Sequence, residues 1–266
     1  MDNRINSKQN PKVKQLVKLR ERKHRDTQEK FLIEGIREIN AALDANVPIC
    51  EYFICEDFIK SKEAKSLHLK ISNSSIPIIE LGPDVFEKCA YRENPDGIIA
   101  VSQKWEQSLD ELTKEKQPIF LVLENIEKPG NLGAILRVSK GLGANAIICT
   151  ENNIDFFNPN VIRASQGLVF SSNLISTNNE PLLTFLVENH FNISVTTPSA
   201  KETIWNSNLQ APLALVFGSE NLGVSDFWLN ANGIEKTKIP IKPNVDSLNL
   251  ASAASIYLYE AVRNKN

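Results

Sequence analysis

The sequence of 266 residues lacks a long apolar run, since no stretch of 18 consecutive apolar residues occurs in it. A transmembrane helix needs about 20 such residues, so we expect no membrane-spanning segment. The N-terminus also lacks the apolar core of a secretory signal peptide. Its basic pattern is interrupted by Glu21, Asp26 and Glu29, which argues against a mitochondrial presequence. These absences favour a cytoplasmic protein.

Cysteine is scarce, and its four copies are scattered at Cys50, Cys55, Cys89 and Cys149. They form no CxxC pair, and the three histidines lie far from them in sequence. Structural zinc sites and disulfide frameworks are recognised by closely spaced ligands. The pattern therefore predicts no metal site and no disulfide, and it favours buried, reduced thiols.

The sequence has little net charge, −2, but the charge is unevenly distributed. Residues 1–30 contain ten Lys or Arg residues and four Asp or Glu residues, an excess of six positive charges. Within this segment Val13, Leu16, Val17 and Arg20 have helical spacing, which predicts a basic helix that packs on one side. The outward cations form either a solvated helix face or an arm that binds nucleic acid.

The chain divides by composition into three segments. Residues 1–103 combine short apolar runs with helical patterns and predict a small α/β unit, whereas residues 104–117 are polar and predict a partly helical linker. Residues 118–266 alternate apolar strands such as AIICT and ALVFGS with helices, which predicts a parallel sheet covered on both faces. We predict that KTKIPI is a strand and that the last helix begins near Ser247.

The segment GLGANA, from Gly141 to Ala146, looks like the fingerprint of a dinucleotide-binding fold. That fingerprint lies between a strand and a following helix, whereas this segment follows a predicted helix and precedes a predicted strand. We therefore expect Gly141 or Gly143 to end the helix in a left-handed conformation. A nicotinamide oxidoreductase is disfavoured for the same reason.

Three polar loops follow apolar strands of the predicted sheet. They are ENIEKPGNLGAILR after IFLVL, GSENLGVSD after ALVF, and KPNVDSLN after the predicted strand that ends in IPI. Open α/β sheets bind ligands beyond the carboxyl ends of their strands, so we expect the three loops to form one site. The pattern alone does not define the ligand.

The three loops resemble the three motifs of the SpoU (TrmH-type) RNA 2′-O-ribose methyltransferases, a branch of the SPOUT superfamily. The first is PGNLGAILR from Pro129 to Arg137, and the second is FGSENLG from Phe217 to Gly223. The third is IPI at residues 239–241 followed by SLN at residues 247–249. The resemblance covers residues 118–266, and residues 10–26 and 31–43 are similar to parts of the substrate-binding domain of many members.

This resemblance implies an α/β fold with a C-terminal parallel-sheet domain that contains a deep trefoil knot. The other parts would be a small N-terminal α/β RNA-binding domain at 1–103 and the linker at 104–117, with the knotted domain at 118–266. The family binds S-adenosylmethionine (AdoMet) in the knot and works as a homodimer. A knot is too rare to be inferred from pattern alone.

The resemblance also implies the catalytic residues, which would be Arg137, Asn131, Glu220, Ser247 and Asn249. Arg137 is the residue most closely tied to the proton of the ribose hydroxyl, but a guanidinium is a poor base and is better suited to hold a phosphate and stabilise an alkoxide. Asn131 is expected to precede its helix and cap or orient the loop. Ser247 and Asn249 are natural helix caps, whereas Asp246 is expected to be a turn acid beside the Pro243 turn.

The family's cofactor contacts match Gly218, Ile239 and Leu248, where Gly218 is expected to let the ligand approach the backbone. Arg163 and Ser165 match a patch near the substrate or the dimer interface. RNA phosphates would be bound by cations of the basic helix, namely Lys12, Lys14, Arg20, Arg22 and Lys23.

The attached N-terminal domain favours ribosomal RNA over transfer RNA as the substrate, by analogy. A transfer RNA 2′-O-methyltransferase is one alternative. The other is a non-catalytic RNA-binding or ribosome-assembly factor on the same fold.

Overall fold

A computed structural model describes residues 4–112, 115–151, 154–242, 244–245 and 247–263. The chain forms two compact units. The first unit consists of residues 1–105 and 155–171, and the second consists of residues 106–154 and 172–266. Residues 155–171 therefore belong to the first unit, although the sequence pattern predicted one continuous domain over residues 118–266.

The elements up to residue 112 are helices α1 Pro11–Lys18, α2 Arg22–Gln28, α3 Ile36–Asp44, α4 Lys62–Ser72 and α5 Pro83–Cys89, and strands β1 Lys30–Glu34, β2 Ile49–Ile54, β3 Ile78–Glu80 and β4 Ile98–Gln103. The later helices are α6 Pro129–Leu142, α7 Pro159–Ala164, α8 Asn179–Glu188, α9 Asp226–Asn230 and α10 Leu250–Arg263. The later strands are β5 Ile119–Glu124, β6 Ala146–Thr150, β7 Leu174–Thr177, β8 Asn192–Thr196, β9 Glu202–Thr203, β10 Leu213–Phe217 and β11 Ile234–Lys238.

The first unit contains a mixed sheet of order β1-β4-β2-β3. Strand β4 is antiparallel to both β1 and β2, and β3 is parallel to β2. Helices α1 and α5 cover the sheet through a core that includes Val13, Leu16, Phe53 and Phe86. The small α/β unit predicted from the sequence is confirmed.

The basic helix α1 begins where the sequence predicts. The Asn10 side chain accepts a hydrogen bond from the Lys12 amide, and Pro11 occupies the first turn, where its missing N–H has no cost. The helix ends at Lys18, so Arg20 lies beyond it. The Arg20 guanidinium donates to the carbonyls of Lys88, at 2.7 Å, and Ala90.

Residues 155–171 are held in the first unit by a buried ion pair and by ring stacking. Arg25 and Asp155 pair with side-chain exposures of 1% and 6%, and the Arg25 Nη1 group also donates to the Leu19 carbonyl at 2.8 Å. The ring of Phe157 stacks on Phe31 with centroids 4.4 Å apart. Each buried charge needs a partner of opposite sign, so replacing either Arg25 or Asp155 alone would destabilise the first unit.

The second unit contains a sheet of seven strands in the order β7-β6-β5-β10-β8-β11-β9, and every pairing in it is parallel. This confirms the predicted parallel sheet. The central strands β5 and β10 are buried along their whole length, as expected when helices cover both faces. None of the described helices is long and apolar enough to cross a membrane.

Two boundaries in the second unit differ from the prediction. Strand β11 ends at Lys238, so the predicted strand through Ile241 is wrong, because Pro240 has no N–H to continue the ladder. Helix α10 begins at Leu250 and not near Ser247. Helix α6 ends as predicted, with Gly143 at a φ of +80°. A helix end at this glycine confirms that GLGANA is not a dinucleotide-binding loop.

Candidate active site

The three predicted motifs meet through the side chain of Asn131. Its Nδ2 group donates to Oε1 of Glu220, which lies 89 residues away in sequence. Its Oδ1 atom accepts a hydrogen bond from Nδ2 of Asn249 at 3.1 Å, across 118 residues. One amide therefore joins all three loops, and we call these three residues the amide triad. The predicted convergence of the loops is confirmed.

Asn131 does not have the position predicted for it. Helix α6 begins at Pro129, so Asn131 is the third residue of the helix and does not precede it. Its backbone amide donates to the Lys128 carbonyl at 3.0 Å, whereas its side chain contacts the two other loops. The predicted capping role is wrong, because Pro129 starts the helix two residues earlier.

Glu220 offers an unused acceptor in the amide triad. Oε1 accepts the Asn131 amide, whereas Oε2 is buried and has no hydrogen-bond partner among the residues that the structure describes. A buried carboxylate oxygen without a donor is costly. This atom is therefore suited to accept a hydrogen bond from a bound substrate or cofactor.

The second loop closes on itself as a tight turn. Ser219 and Gly223 exchange two backbone hydrogen bonds of 3.1 and 3.0 Å. A Cβ atom at Gly218 would lie 1.9 Å from the carbonyl carbon of Gly223. Glycine at 218 is thus required by the loop's own backbone, and the expected approach of a ligand to Gly218 stays a prediction.

The third loop ends at a helix cap made by Asn249. Its Oδ1 atom accepts the backbone amides of Ala251 at 2.9 Å and Ser252 at 3.4 Å. Ser247 is exposed and forms no hydrogen bond within the described ranges, so it neither caps α10 nor joins the amide triad. The predicted turn residues Pro243 and Asp246 lie outside the described residues.

The strand before this loop is tied to helix α10 by buried hydroxyl groups. The hydroxyl of Thr237 lies 2.9 Å from that of Ser194 and 3.0 Å from that of Tyr257. Burial raises the pKa of Tyr257 to about 12, so its phenol remains neutral and available for this hydrogen bond. The contact fixes the end of strand β11, which leads into the third motif, against helix α10.

Gly218, Ile239 and Leu248, the predicted cofactor contacts, are all half-buried. Within the part of the chain that the structure describes, their backbone amides and carbonyls have no hydrogen-bond partner in the protein. Unpaired backbone donors and acceptors beside apolar side chains suit an adenine base and its ribose. The residues present therefore fit a cofactor that carries adenosine.

Arg137 lies on α6 with its side chain exposed. Its guanidinium forms no hydrogen bond or ion pair with any other described residue, so the amide triad does not hold the side chain. A fully charged guanidinium without an internal partner is available to a phosphate.

Sequence reasoning missed Glu124, the last residue of β5. Its carboxylate is 1% exposed and accepts three hydrogen bonds, from Asn179 Nδ2 at 2.6 Å, the Ser225 amide at 2.7 Å and the Ser225 hydroxyl at 2.6 Å. Asn179 in turn accepts from the Trp228 indole at 2.9 Å. Glu124 begins the first loop and Ser225 lies near the end of the second, so this network ties the two loops together. An acid that ends the wholly apolar run IFLVL was the available signal, since a buried carboxylate needs donors.

The cations predicted to bind RNA lie in the first unit and differ in their partners. Lys12 pairs with Glu51 and Arg22 with Asp26, both at 3.3 Å, and Arg20 is held by backbone carbonyls. Lys14 and Lys23 are exposed and have no partner among the described residues. These two lysines are the most available to a polyanion.

The cysteines agree with the expected buried thiols. Cys55, Cys89 and Cys149 are buried, Cys50 is half-buried, and all four are free. Burial raises the pKa of the Cys89 thiol to about 11 and raises that of Cys149 further. No group of three or more His, Cys, Asp or Glu residues that could hold a metal ion occurs among the described residues.

These features define an α/β domain with one polar site at the carboxyl edge of its parallel sheet. The model of the SpoU rRNA Methylase family matches residues 118–259, and that of the MRM3-like substrate binding domain matches residues 10–100. The chain therefore belongs to the SpoU rRNA methylase family, as its motifs predicted.

Similar proteins agree with this membership over nearly the whole chain. The 23S rRNA (guanosine-2′-O-)-methyltransferase RlmB of Haemophilus influenzae is 32% identical over 88% of this chain and 97% of its own length. A crystal structure of an RNA 2′-O ribose methyltransferase is 35% identical, with a TM-score of 0.85 over 98% of this chain and 99% of that chain. An AdoMet-bound rRNA methyltransferase from Sinorhizobium meliloti is 25% identical, with a TM-score of 0.87 over 98% and 97% of the two chains.

Proposed function

We propose that this protein transfers a methyl group from AdoMet to the 2′-hydroxyl of a ribose in ribosomal RNA. The amide triad carries the proposal, because it joins all three family motifs at one edge of the sheet. Support for ribosomal RNA comes from the match of residues 10–100 to the MRM3-like substrate binding domain and from the similarity to the 23S rRNA methyltransferase RlmB of Haemophilus influenzae. The four free cysteines are consistent with the predicted cytoplasmic location.

The site residues would orient the two reactants. Gly218, Ile239 and Leu248 would hold the adenosine part of AdoMet through their unpaired backbone groups. When bound, AdoMet supplies a methyl group that is already activated by its sulfonium. Such a transfer needs an in-line approach of the ribose oxygen, so the rate depends mainly on positioning.

Arg137 would act on the ribose side of the reaction. Its exposed guanidinium would hold the phosphate next to the target ribose and stabilise the negative charge that develops on the 2′-oxygen. It would not remove the proton, because a guanidinium is a poor base. The proton of the 2′-hydroxyl would pass to solvent water at this exposed position while the methyl group leaves the sulfonium. The buried Oε2 atom of Glu220 would accept a hydrogen bond from the target nucleotide or the cofactor.

A homodimer is part of this proposal. Helices α6 and α10 pack together and leave an apolar groove lined by Val138, Leu142, Ile256 and Tyr259. Ile256 is 41% exposed and Tyr259 is 61% exposed, which is costly unless a partner covers them. A variant with Ile256→Glu and Tyr259→Glu is expected to halve the mass measured by light scattering. A wild-type protein that is monomeric at micromolar concentration contradicts the dimer.

The trefoil knot is also proposed, supported by the match to SpoU structures over 98% of the chain. Mechanical stretching of the protein from both ends tests it. An open chain extends by about 3.6 Å per residue, and a tightened knot shortens the final length by the residues that it traps. A final length equal to that of the open chain contradicts the knot.

Mapping of 2′-O-methyl groups in cells with and without the gene tests the substrate. We expect one ribosomal RNA position to lose its methyl group in the deletion and to regain it on complementation. Loss confined to transfer RNA would assign the alternative substrate. Unchanged maps of both RNA pools contradict methyl transfer and favour a non-catalytic assembly factor.

A further inference from the structure

The side chain of Trp205 is exposed, whereas the apolar side chains closest to it in sequence are buried. Trp205 is 70% exposed, whereas Ile204 and Leu209 on either side of it are 2% and 1% exposed. The two other tryptophans are shielded, since Trp228 is fully buried and Trp105 is half-buried in an aromatic cluster. A large indole in water has a free-energy cost that a ligand can remove.

The backbone around Trp205 is well fixed. The Asn206 amide donates to the Thr203 carbonyl at 3.0 Å, and the Ser207 hydroxyl donates to the Ile204 carbonyl at 2.9 Å. Buried Ile204 anchors the turn from below. The indole is therefore presented on a rigid turn, which lowers the entropic cost of binding a flat ligand.

The turn lies beside the end of the strand that leads into the third motif. Strand β9 pairs with β11 in the register Glu202 to Thr237 and Thr203 to Lys238. The Ile204 amide then donates to the Lys238 carbonyl at 2.9 Å. Because Ile239 follows directly, the Trp205 turn borders the proposed cofactor site.

The side of the sheet formed by strands β9 and β11 carries positive charge. Its lysines are Lys201, Lys236, Lys238 and Lys242. None of these four forms an ion pair with another described residue, whereas Glu235, one of the two acids nearby, accepts the Asn208 amide at 3.0 Å. Unpaired lysines around an exposed indole suit a ligand that has both phosphates and flat bases.

We propose that Trp205 stacks on an unpaired base of the RNA next to the target nucleotide, while the surrounding lysines contact its phosphates. The inference rests on the proposed function and adds a substrate contact to it. Proteins bind single-stranded RNA by aromatic stacking combined with cationic contacts to the backbone. Stacking on a base tolerates different sequences, so Trp205 contributes affinity and orientation and does not select one base.

Tryptophan fluorescence provides a direct test, because Trp205 is the most exposed of the three indoles. A short single-stranded RNA is expected to quench the emission of the wild-type protein, and Trp205→Phe is expected to lose most of that quenching. Trp205→Phe retains a ring and most of the affinity. Trp205→Ala is expected to weaken RNA binding about tenfold or more, with an unchanged Kd for AdoMet.

The alternatives give different results. Quenching by AdoMet without RNA would assign Trp205 to the cofactor and overturn the proposal. A smaller mass of Trp205→Ala in light scattering would assign it to a protein interface and also overturn it. RNA that leaves the wild-type emission unchanged contradicts stacking. Quenching that occurs without any methyl transfer would support the stacking site and contradict the proposed activity.

Discussion

In the first unit, Lys14 and Lys23 project into solvent without partners among the described residues, whereas in the second unit the polar groups of the site hold one another. Attraction to a polyanion needs charge and little fixed geometry. Methyl transfer needs fixed geometry and little net charge. We therefore expect Lys14 and Lys23 to contribute RNA affinity and the amide triad to contribute reaction geometry, so variants of the two regions should fail in different ways.

Of the variants that test geometry, the replacement of Asn131 should disturb the positions of the three loops most. Asn131→Ala removes the donor to Glu220 and the acceptor for Asn249, and so releases all three loops. We expect kcat to fall about hundredfold with little change in RNA affinity, since small displacements of reacting groups have effects of this size. Single-turnover methylation with saturating RNA measures this fall in rate.

Asn189→Ala is the matched control, because the Asn189 side chain bonds to no described residue other than Phe185, whose carbonyl lies near the end of α8. It should retain the wild-type kcat. Asn131→Ala with the same kcat as this control contradicts the organising role of the amide triad.

Glu124 helps to hold the first and second loops in place through its hydrogen bonds to Asn179 and Ser225. Glu124→Gln places an NH2 group where a carboxylate oxygen accepts the Ser225 amide or hydroxyl. We expect the free energy of unfolding of the second unit to decrease by about 2 kcal/mol, because a buried donor loses its charged acceptor. Urea unfolding followed by the fluorescence of buried Trp228 measures this decrease. Exposed Glu188→Gln should be neutral, and equal stability of the two variants contradicts the network.

Variants of the lysines in the first unit should lose RNA affinity and keep their catalytic rate. Lys14→Ser with Lys23→Ser should weaken RNA binding about tenfold and leave kcat at saturating RNA unchanged, because two phosphate contacts are lost. The slope of log Kd against log salt concentration should decrease by roughly 1 per lysine. Lys62→Ser with Lys65→Ser on α4 is the matched control. An equal loss in both double variants means that α1 and α2 are not the RNA-binding face.

Hydrophobic patterning predicted the parallel sheet and most of the helices, because a helix or strand with a buried face has apolar residues at regular spacing. The same patterning could not pair Arg25 with Asp155, which are 130 residues apart. It also extended the last strand through Ile241, because Ile239 and Ile241 continue the apolar pattern, whereas the observed strand ends at Lys238 before Pro240, which has no N–H for the ladder. Contacts between distant polar side chains, including the three of Glu124, depend on tertiary structure that no local pattern contains.

The motifs themselves brought the site residues to attention, but their geometry came from the structure. Asn131 matched a motif position, and its link to Glu220 and Asn249 became visible only when the three loops were placed together. Ser247 matched equally well and yet contacts neither of them. A motif thus identified which loops meet, and the side-chain contacts distinguish the residues that join them.

The most direct test of the account is the methylation rate of Arg137→Ala measured beside its affinity for AdoMet. We expect the rate to fall on the order of 10³-fold, because the charge that stabilises the 2′-oxygen is lost, while the Kd for AdoMet stays within about twofold. Arg137→Lys should retain part of the rate, since it keeps the charge but not the planar fork. Full activity of Arg137→Ala, or an equal loss of AdoMet binding, contradicts the role assigned to Arg137.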